Sequence, residues 1–396
     1  MRDGAFRVPR AMKLAVLHVL RSNRGRHGGP PVVANAIIEQ LHQDGHKVSM
    51  VVSTTGDDSV RTDATVVSFL HQVLGILFSR GLLVRLVSEA DVVHIHCLWN
   101  ALHLSVGIIA RRQGIPYVIS PHGTLDPWSL RQSPRRKRWA LRLGFRKLLH
   151  HAAALHVLND AEASLIAPLK LEVPTIVIPN GVKLADIRHG GRQEDDESGQ
   201  RPRTPILLFL GRIHHKKGLD IVIRAMPSVR ERYPCTTLLV VGPDDGDQDR
   251  VKALATDLGV DDAVRFLGPR FGIDKDQLMA AATLFLLPSR QEGSPMAVLE
   301  AMACGLPSIV SRACHLSAAA MVGAVVELPG EEVYHRDLAE EIVALLNDRQ
   351  RRVEIGLAAS AWVNEHGTWE SIVSGRFIPL YQEISVSGLS HSSPIE

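Results

Sequence analysis

Cysteine is scarce: four residues in 396, Cys97, Cys235, Cys304 and Cys314, widely spaced and without a C-x-x-C pair. That spacing offers neither a disulfide framework nor a zinc site, and reads as reduced thiols in a cytoplasmic protein. Long apolar runs are missing too. No stretch reaches the roughly 18 uninterrupted apolar residues that a membrane-spanning helix needs. Residues 73–87 are apolar but carry Arg80 and Arg85, and read as an amphipathic helix. The first eleven residues lack the apolar core of a secretory signal. There is little excess charge of either sign, net +3, so no nucleic-acid partner is expected. What remains is the composition of a globular protein, 45% hydrophobic and 22% charged. At 396 residues the chain is too long for one ordinary core, and two domains are expected.

Hydrophobic patterning supports that division. Strand-like runs fall at 12–20, 46–53, 90–96, 116–120, 154–157 and 175–178, with helical patterns at 30–45 and 99–113. Such alternation points to a parallel sheet covered on both faces. From Asp186 to Thr204 the chain turns polar and glycine-rich, with almost nothing to bury, and reads as a linker. A second series follows at 205–210, 236–241, 263–267, 283–287 and 307–310, then helices at 337–346, 350–366 and 369–384 and a loose tail from Ser385. The expected organisation is an α/β domain over 12–185, a linker over 186–204 and a second α/β domain over 205–366. A C-terminal helix over 367–384 is expected to pack back on the first domain. Two doubly wound parallel sheets in series suggest a cleft, with ligands beyond the carboxyl ends of the strands.

The polar motifs fall at those strand ends. Glu292-Gly-Ser-Pro-Met-Ala-Val-Leu-Glu300 follows an apolar run and opens a short helix closed by Gly305. Pro295 suits the first helical turn, and free backbone N–H groups at a helix start favour anions. A solvated loop acid followed by a solvated helix acid is the plainer reading of the same stretch. Gly211-Arg-Ile-His-His-Lys-Lys-Gly-Leu-Asp220 places Arg212 and Lys217 after another strand. Arginine grips phosphate oxygens in a fork and lysine adds a mobile point charge. Gly28-Gly29-Pro30 follows the first strand, where side-chain-free backbone can approach a phosphate or simply turn. His122 lies in Ser120-Pro-His-Gly-Thr-Leu-Asp-Pro-Trp128, just past a strand, although a lone histidine is more often structural.

Taken in order, these motifs and Ile178-Pro-Asn-Gly-Val182 resemble the family 4 (group 1) glycosyltransferases over about residues 12–384. The resemblance implies the GT-B architecture, two Rossmann-like domains facing across a cleft, and a retaining enzyme that needs no metal and no cofactor beyond its nucleotide-sugar co-substrate. The His-Gly-Thr-Leu-Asp-Pro-Trp variant is similar to members that build bacterial surface polysaccharides. It implies that Arg212 and Lys217 hold the donor diphosphate and Glu300 the ribose. Glu292 would face the donor sugar, and Gly293, Ser294, Met296 and Ala297 would cradle sugar and phosphate. His122 would touch the sugar from the other domain, and Gly28 and Gly29 would approach the diphosphate. Many relatives have Phe-Gly where this chain has Ser294-Pro295, and Pro295 has no N–H to donate. The acceptor implied is a glycan or a lipid-linked sugar.

Two further stretches are separate from these motifs. Asp244-Asp-Gly-Asp-Gln-Asp249 has the composition of a calcium loop but not its spacing, and fits a turn with helix-capping acids. Residues 131–147 hold eight basic residues and no acid, interleaved with Trp139, Leu143 and Phe145. They read either as a basic amphipathic helix on the anionic inner face of the cytoplasmic membrane or as a packed helix with one solvated face. Two other functions share the motifs: a sugar-nucleotide epimerase of the same architecture and a non-catalytic sugar-nucleotide-binding protein.

Overall fold

The computed structural model describes residues 13–22, 29–54, 65–68, 80–184, 204–330 and 332–390. Gly28 and nearly all of the 186–204 linker lie outside the described residues. The chain forms two units, Met1–Pro179 with Ile372–Glu396, and Asn180–Ser371. The sequence reading drew these borders at 185 and 366.

The first unit is built on seven parallel strands: β1 (Ala15–Ser22), β2 (Lys47–Thr54), β3 (Thr65–Ser68), β4 (Val92–His96), β5 (Tyr117–Ser120), β6 (Ala154–Val157) and β7 (Thr175–Val177), in the order 3-2-1-4-5-6-7. β3 was not expected from sequence. Its main helices are α1 (Pro30–Gln43), α2 (Arg80–Ser88), α3 (Ala101–Gln113), α4 (Pro134–Ala140) and α5 (Asp160–Ile166). Strand alternation sorts the side chains. Leu17, Val19, Val93, Ile95, Tyr117, Ile119, Leu155 and Val157 share one apolar cluster with Leu102, Val106 and Leu148. The alternate positions, His18, His94, His96, Ser120 and His156, make a buried polar layer instead.

The second unit has six parallel strands: β8 (Ile206–Leu210), β9 (Thr237–Val241), β10 (Val264–Gly268), β11 (Leu284–Leu287), β12 (Ser308–Val310) and β13 (Val326–Glu327), in the order 10-9-8-11-12-13. The short β13 was also not foreseen. Around the sheet lie α6 (Leu219–Arg232), α7 (Gln248–Asp257), α8 (Ile273–Ala281), α9 (Met296–Ala303), α10 (His335–Asn347) and α11 (Arg349–Trp362). The last helix, α12 (Ile378–Ser390), belongs to the first unit. Its Tyr381 hydroxyl sits 2.6 Å from His94 Nδ1 on β4. It continues past Ser385, where sequence suggested a loose tail, from a turn in which Tyr381 and Ile384 are buried.

Both strand orders reverse direction once, between β1 and β4 and between β8 and β11. Loops leaving the carboxyl ends of those neighbouring strands diverge, which leaves a crevice for ligands. Lys217 follows β8 and Glu292 follows β11, so the second crevice carries both.

The basic stretch is not one helix. It breaks into Pro127–Arg131, α4, a wide turn over Leu141–Phe145 and a last turn over Arg146–His150. Ser133 adopts left-handed backbone at φ +56° ahead of Pro134, which makes the first break. Gly144 at φ +133° makes the second break.

Candidate functional site

In the second unit, Lys217 closes a single tight turn, His215–Lys217, between β8 and α6. Gly218 follows at φ +72°, and a Cβ there would run into the Pro288 carbonyl oxygen. The turn can therefore lie against the β11 loop only with glycine at this position. That approach brings Lys217 Nζ within 2.6 and 2.8 Å of the two carboxylate oxygens of Glu292. Ser289 Oγ donates to the same carboxylate at 2.7 Å. The Glu292 side chain is 5% exposed and that of Lys217 19%, so the pair is largely withdrawn from water.

A second pair of residues holds the two loops together. Arg290 donates to both carboxylate oxygens of Asp220, each at 2.8 Å, and to the His215 carbonyl at 2.8 Å. Asp220 lies in the first turn of α6. Burial, the largest single influence, pushes its pKa up, but the Arg290 hydrogen bonds together with the nearby charges of Arg290, Arg250 and His215 outweigh it and hold the carboxyl below the usual range. Neither Arg290 nor Asp220 was singled out from sequence. The signal that could have found them is an arginine two residues before the loop acid and an acid three residues after the loop lysine.

Arg212 and Glu300 are near this pair in sequence, but each has its own partner. Arg212 Nη1 is 2.6 Å from Asp245 Oδ2, and both side chains are exposed. Glu300 Oε1 on α9 is 2.7 Å from Lys275 Nζ on α8. Each acid or base assigned to the donor is thus already neutralised by a protein partner. Ser294 Oγ accepts from the Asn180 backbone N–H at 3.2 Å, which ties the Ile-Pro-Asn-Gly-Val segment to the Glu292 loop. The Met296 N–H donates to the Ser294 carbonyl at 3.0 Å, and α9 starts at Met296, just after Pro295. Of the pair Met296 and Ala297, the Ala297 amide is the remaining donor towards an anion. In the acidic stretch, the Asp244 carboxylate accepts from the backbone of Gly246, Asp247 and Gln248 at 2.9, 3.2 and 3.2 Å, capping the start of α7.

In the first unit the candidate residues again follow strands. Gly29 adopts φ +63° and ψ −121° at the start of α1, a region open to glycine. Past β4 and β5, three residues other than glycine adopt left-handed backbone: Cys97, Trp99 and His122, at φ +66°, +67° and +48°. Strain of that kind collects at functional sites. The buried Glu162 clamps this edge, accepting from Gly123 N at 2.9 Å and Leu158 N at 2.8 Å. It went unremarked in the sequence because a carboxylate at a helix start usually signals only a cap.

His122 is not isolated. Its Nε2 lies 3.2 Å from His96 Nδ1, and His96 Nε2 lies 2.9 Å from His18 Nδ1. Beside this chain runs another: Tyr381 to His94 at 2.6 Å, His94 to Ser120 at 2.6 Å, Ser120 to His156 at 2.6 Å, and His156 to the Ile178 carbonyl at 2.8 Å. Burial pushes the His18 and His122 pKa values down to about 3 and that of His156 to about 4. Burial likewise holds His94 and His96 well below their ordinary value. These rings are neutral at physiological pH. None offers a cation to a phosphate; what His122 can offer is one donor or one acceptor.

Comparison with known proteins identifies the family. Residues 191–362 match glycosyl transferases group 1, and residues 28–181 match a glycosyl transferase 4-like domain. A D-inositol 3-phosphate glycosyltransferase of Salinispora arenicola is 30% identical over 314 residues, 74% of this chain and 68% of the relative. The chain belongs to the group 1 glycosyltransferases. A D-inositol 3-phosphate glycosyltransferase of Actinosynnema mirum is 34% identical over 235 residues, 56% of each chain. With the first relatives it matches, this group 1 glycosyltransferase aligns over about half of their length, 42–56%. A crystal structure of Anabaena HepE in complex with UDP superposes with a TM-score of 0.72 at 22% identity, covering 94% of this chain and all of the other. That likeness establishes the GT-B fold. No helix among the described residues of this family member is long and apolar enough to cross a membrane.

Proposed function

We propose that the chain transfers a sugar from a nucleoside diphosphate sugar to a glycan or lipid-linked acceptor, with retention at the anomeric carbon. The observation that carries this is the Lys217–Glu292 pair at the strand-order reversal of the second sheet. A lysine already in the crevice meets the charge that builds on a departing diphosphate, and a preorganised cation needs no rearrangement when that charge appears. Arg212 joins it by exchanging Asp245 for a phosphate oxygen, and Glu300 exchanges Lys275 for the ribose hydroxyls. Glu292 keeps Lys217 in place and accepts from the donor sugar. Ser294, the Ala297 amide and the Gly293 backbone line the same loop. In the first unit, Gly29 and His122 are the proposed substrate-facing residues, with Gly28 next to Gly29 in sequence. Two cations supply the charge otherwise brought by a divalent metal, and no side chain is assigned as a nucleophile. Catalysis then rests on positioning and leaving-group stabilisation. Relatives named D-inositol 3-phosphate glycosyltransferase and a structural neighbour in complex with UDP support a nucleotide-sugar donor.

The setting we propose is the inner face of the cytoplasmic membrane, in cell-surface polysaccharide synthesis. Trp139 and Leu143 are 62% and 72% exposed among Arg135, Arg136, Arg138 and Arg142, the make-up of an interfacial anchor. Incubation of the purified chain with labelled UDP- and GDP-sugars and a lipid extract tests the function. Labelled lipid or glycan is expected. An epimerised donor, or binding without any product, would replace the transferase reading with one of the two alternatives.

A further inference from the structure

The two hydrogen-bonded chains in the first unit differ in how they end. In the chain from Tyr381, every hydrogen is dictated by its last member. The Ile178 carbonyl can only accept, so His156 carries its hydrogen on Nε2 and accepts from Ser120 at Nδ1. Ser120 then accepts from His94 Nε2, and His94 Nδ1 accepts from the Tyr381 hydroxyl. All four groups are satisfied in one direction.

The chain His122–His96–His18 has no such terminus. Three neutral rings carry three hydrogens, and the two links between them use one each. The third hydrogen sits at one end of the chain: on His18 Nε2 or on His122 Nδ1. His18 Nε2 is buried and has no partner. An orphaned N–H in a protein interior is rarer than an under-used acceptor. That places the bare nitrogen at His18 Nε2, so each ring carries its hydrogen on Nδ1 and donates toward His122. The His122 Nδ1 has no hydrogen bond among the described residues and is the end at which the third hydrogen emerges.

We propose that His96 and His18 are positioning residues that hold His122 in its Nδ1–H tautomer, so that it presents a neutral donor to the substrate. The proposal rests on the glycosyltransferase reading only for what that donor meets, a sugar oxygen. The chain is sealed at His18, so the tautomer cannot reverse by passing a proton through it. The left-handed backbone at His122 and the Glu162 clamp on Gly123 hold the ring at the strand end. His18, His94 and His96 also bring ring nitrogens within 4.8 Å of one another. Both nitrogens of His94 are already committed to Tyr381 and Ser120, which makes this a hydrogen-bonded layer and not a ligand set.

Long-range proton–nitrogen spectra of the full chain, labelled with nitrogen-15 histidine, test this directly, with H122Q used to assign the His122 signals. The expected spectrum shows a protonated Nδ1 and a bare Nε2 for His122, His96 and His18. A His122 protonated on Nε2, or averaged between the two forms, would overturn the proposal, as would one equivalent of zinc in the purified protein. In H96L, His122 is expected to become an averaged mixture while kcat falls about tenfold and the donor KM stays within about twofold. A tenfold loss with the His122 tautomer unchanged would also overturn it. The wild-type spectrum decides even if H96L does not fold. It also decides if no donor is ever turned over, so failure of the relay and failure of the transferase reading are separable.

Discussion

Lys217 Nζ lies between both carboxylate oxygens of Glu292, at 2.6 and 2.8 Å, in the crevice between β8 and β11. Each charge is the other's solvent. Removing one partner takes away the counter-charge of the other in a largely buried site, which is expected to cost about 2–3 kcal/mol of stability. A double-mutant cycle with K217M and E292Q should therefore show a coupling of about 2 kcal/mol in denaturant unfolding, with the double variant more stable than the sum of the singles. Each single variant should lose about a hundredfold or more in sugar transfer. Additive stabilities would mean that the two charges do not hold one another in solution.

Gly218 is expected to be irreplaceable for geometric reasons. A Cβ at φ +72° meets the Pro288 carbonyl, so G218A must push the Lys217 turn away from the Glu292 loop. We expect about 3 kcal/mol of destabilisation and loss of transfer. A melting temperature within a degree of the parent would show that the turn relaxes freely.

Arg290 touches no proposed substrate atom, yet R290K should reduce transfer by about an order of magnitude. Lysine cannot reproduce the two parallel contacts to Asp220 together with the third to His215. The loss should appear in kcat, because the binding groups remain while their spacing loosens. Kinetics with saturating donor measure it, and an unchanged kcat would remove Arg290 from the positioning scheme.

The buried histidine layer predicts instability in mild acid. His18 and His122 fall to about 3 and His156 to about 4, as does His103, buried separately on α3, from an ordinary value of 6.5, and burial is the first cause in each. A ring with a depressed pKa stays neutral when folded and takes up a proton on unfolding. Stability is therefore fully present above about pH 6.5 and is lost as pH falls towards the folded values, by up to about 1.4 kcal/mol per ring per pH unit. Melting curves at pH 7.5 and 5.5 should separate by several degrees, and coincident curves would show that the layer is hydrated or already protonated.

The broken basic stretch changes which charges are available to a membrane. Lys137 stacks 5.6 Å from the Trp99 ring centre and bonds Ser129, so its charge is turned inward. Arg135, Arg136 and Arg138 remain exposed. Reversing those three to glutamate should abolish co-sedimentation with anionic vesicles and leave neutral vesicles unaffected. Equal binding before and after would exclude this face as the anchor.

Much of this molecule is written locally. Runs such as Val92–His96 and Leu284–Leu287 are strands buried on both faces, and the longer strands of both sheets were legible from such patterns. The two strands not foreseen, β3 and β13, have four and two residues, too short for a repeating signal. The motif residues of the Glu292 and Lys217 loops were legible because backbone demands at strand ends select Gly218 and Pro295. Their partners were not. Asp245 for Arg212, Lys275 for Glu300, Asp220 for Arg290 and Glu162 for Gly123 are pairings across 33, 25, 70 and 39 residues, and no local rule encodes them. The histidine layer shows the same limit. Of 19 histidines, sequence singles out His122 by its motif and gives no sign of the four that join it. Only the parallel register, which sets His18 beside His94 and His96 beside Ser120, turns five of them into two directed chains, since a hydrogen bond depends on where two atoms meet and not on which residues precede them.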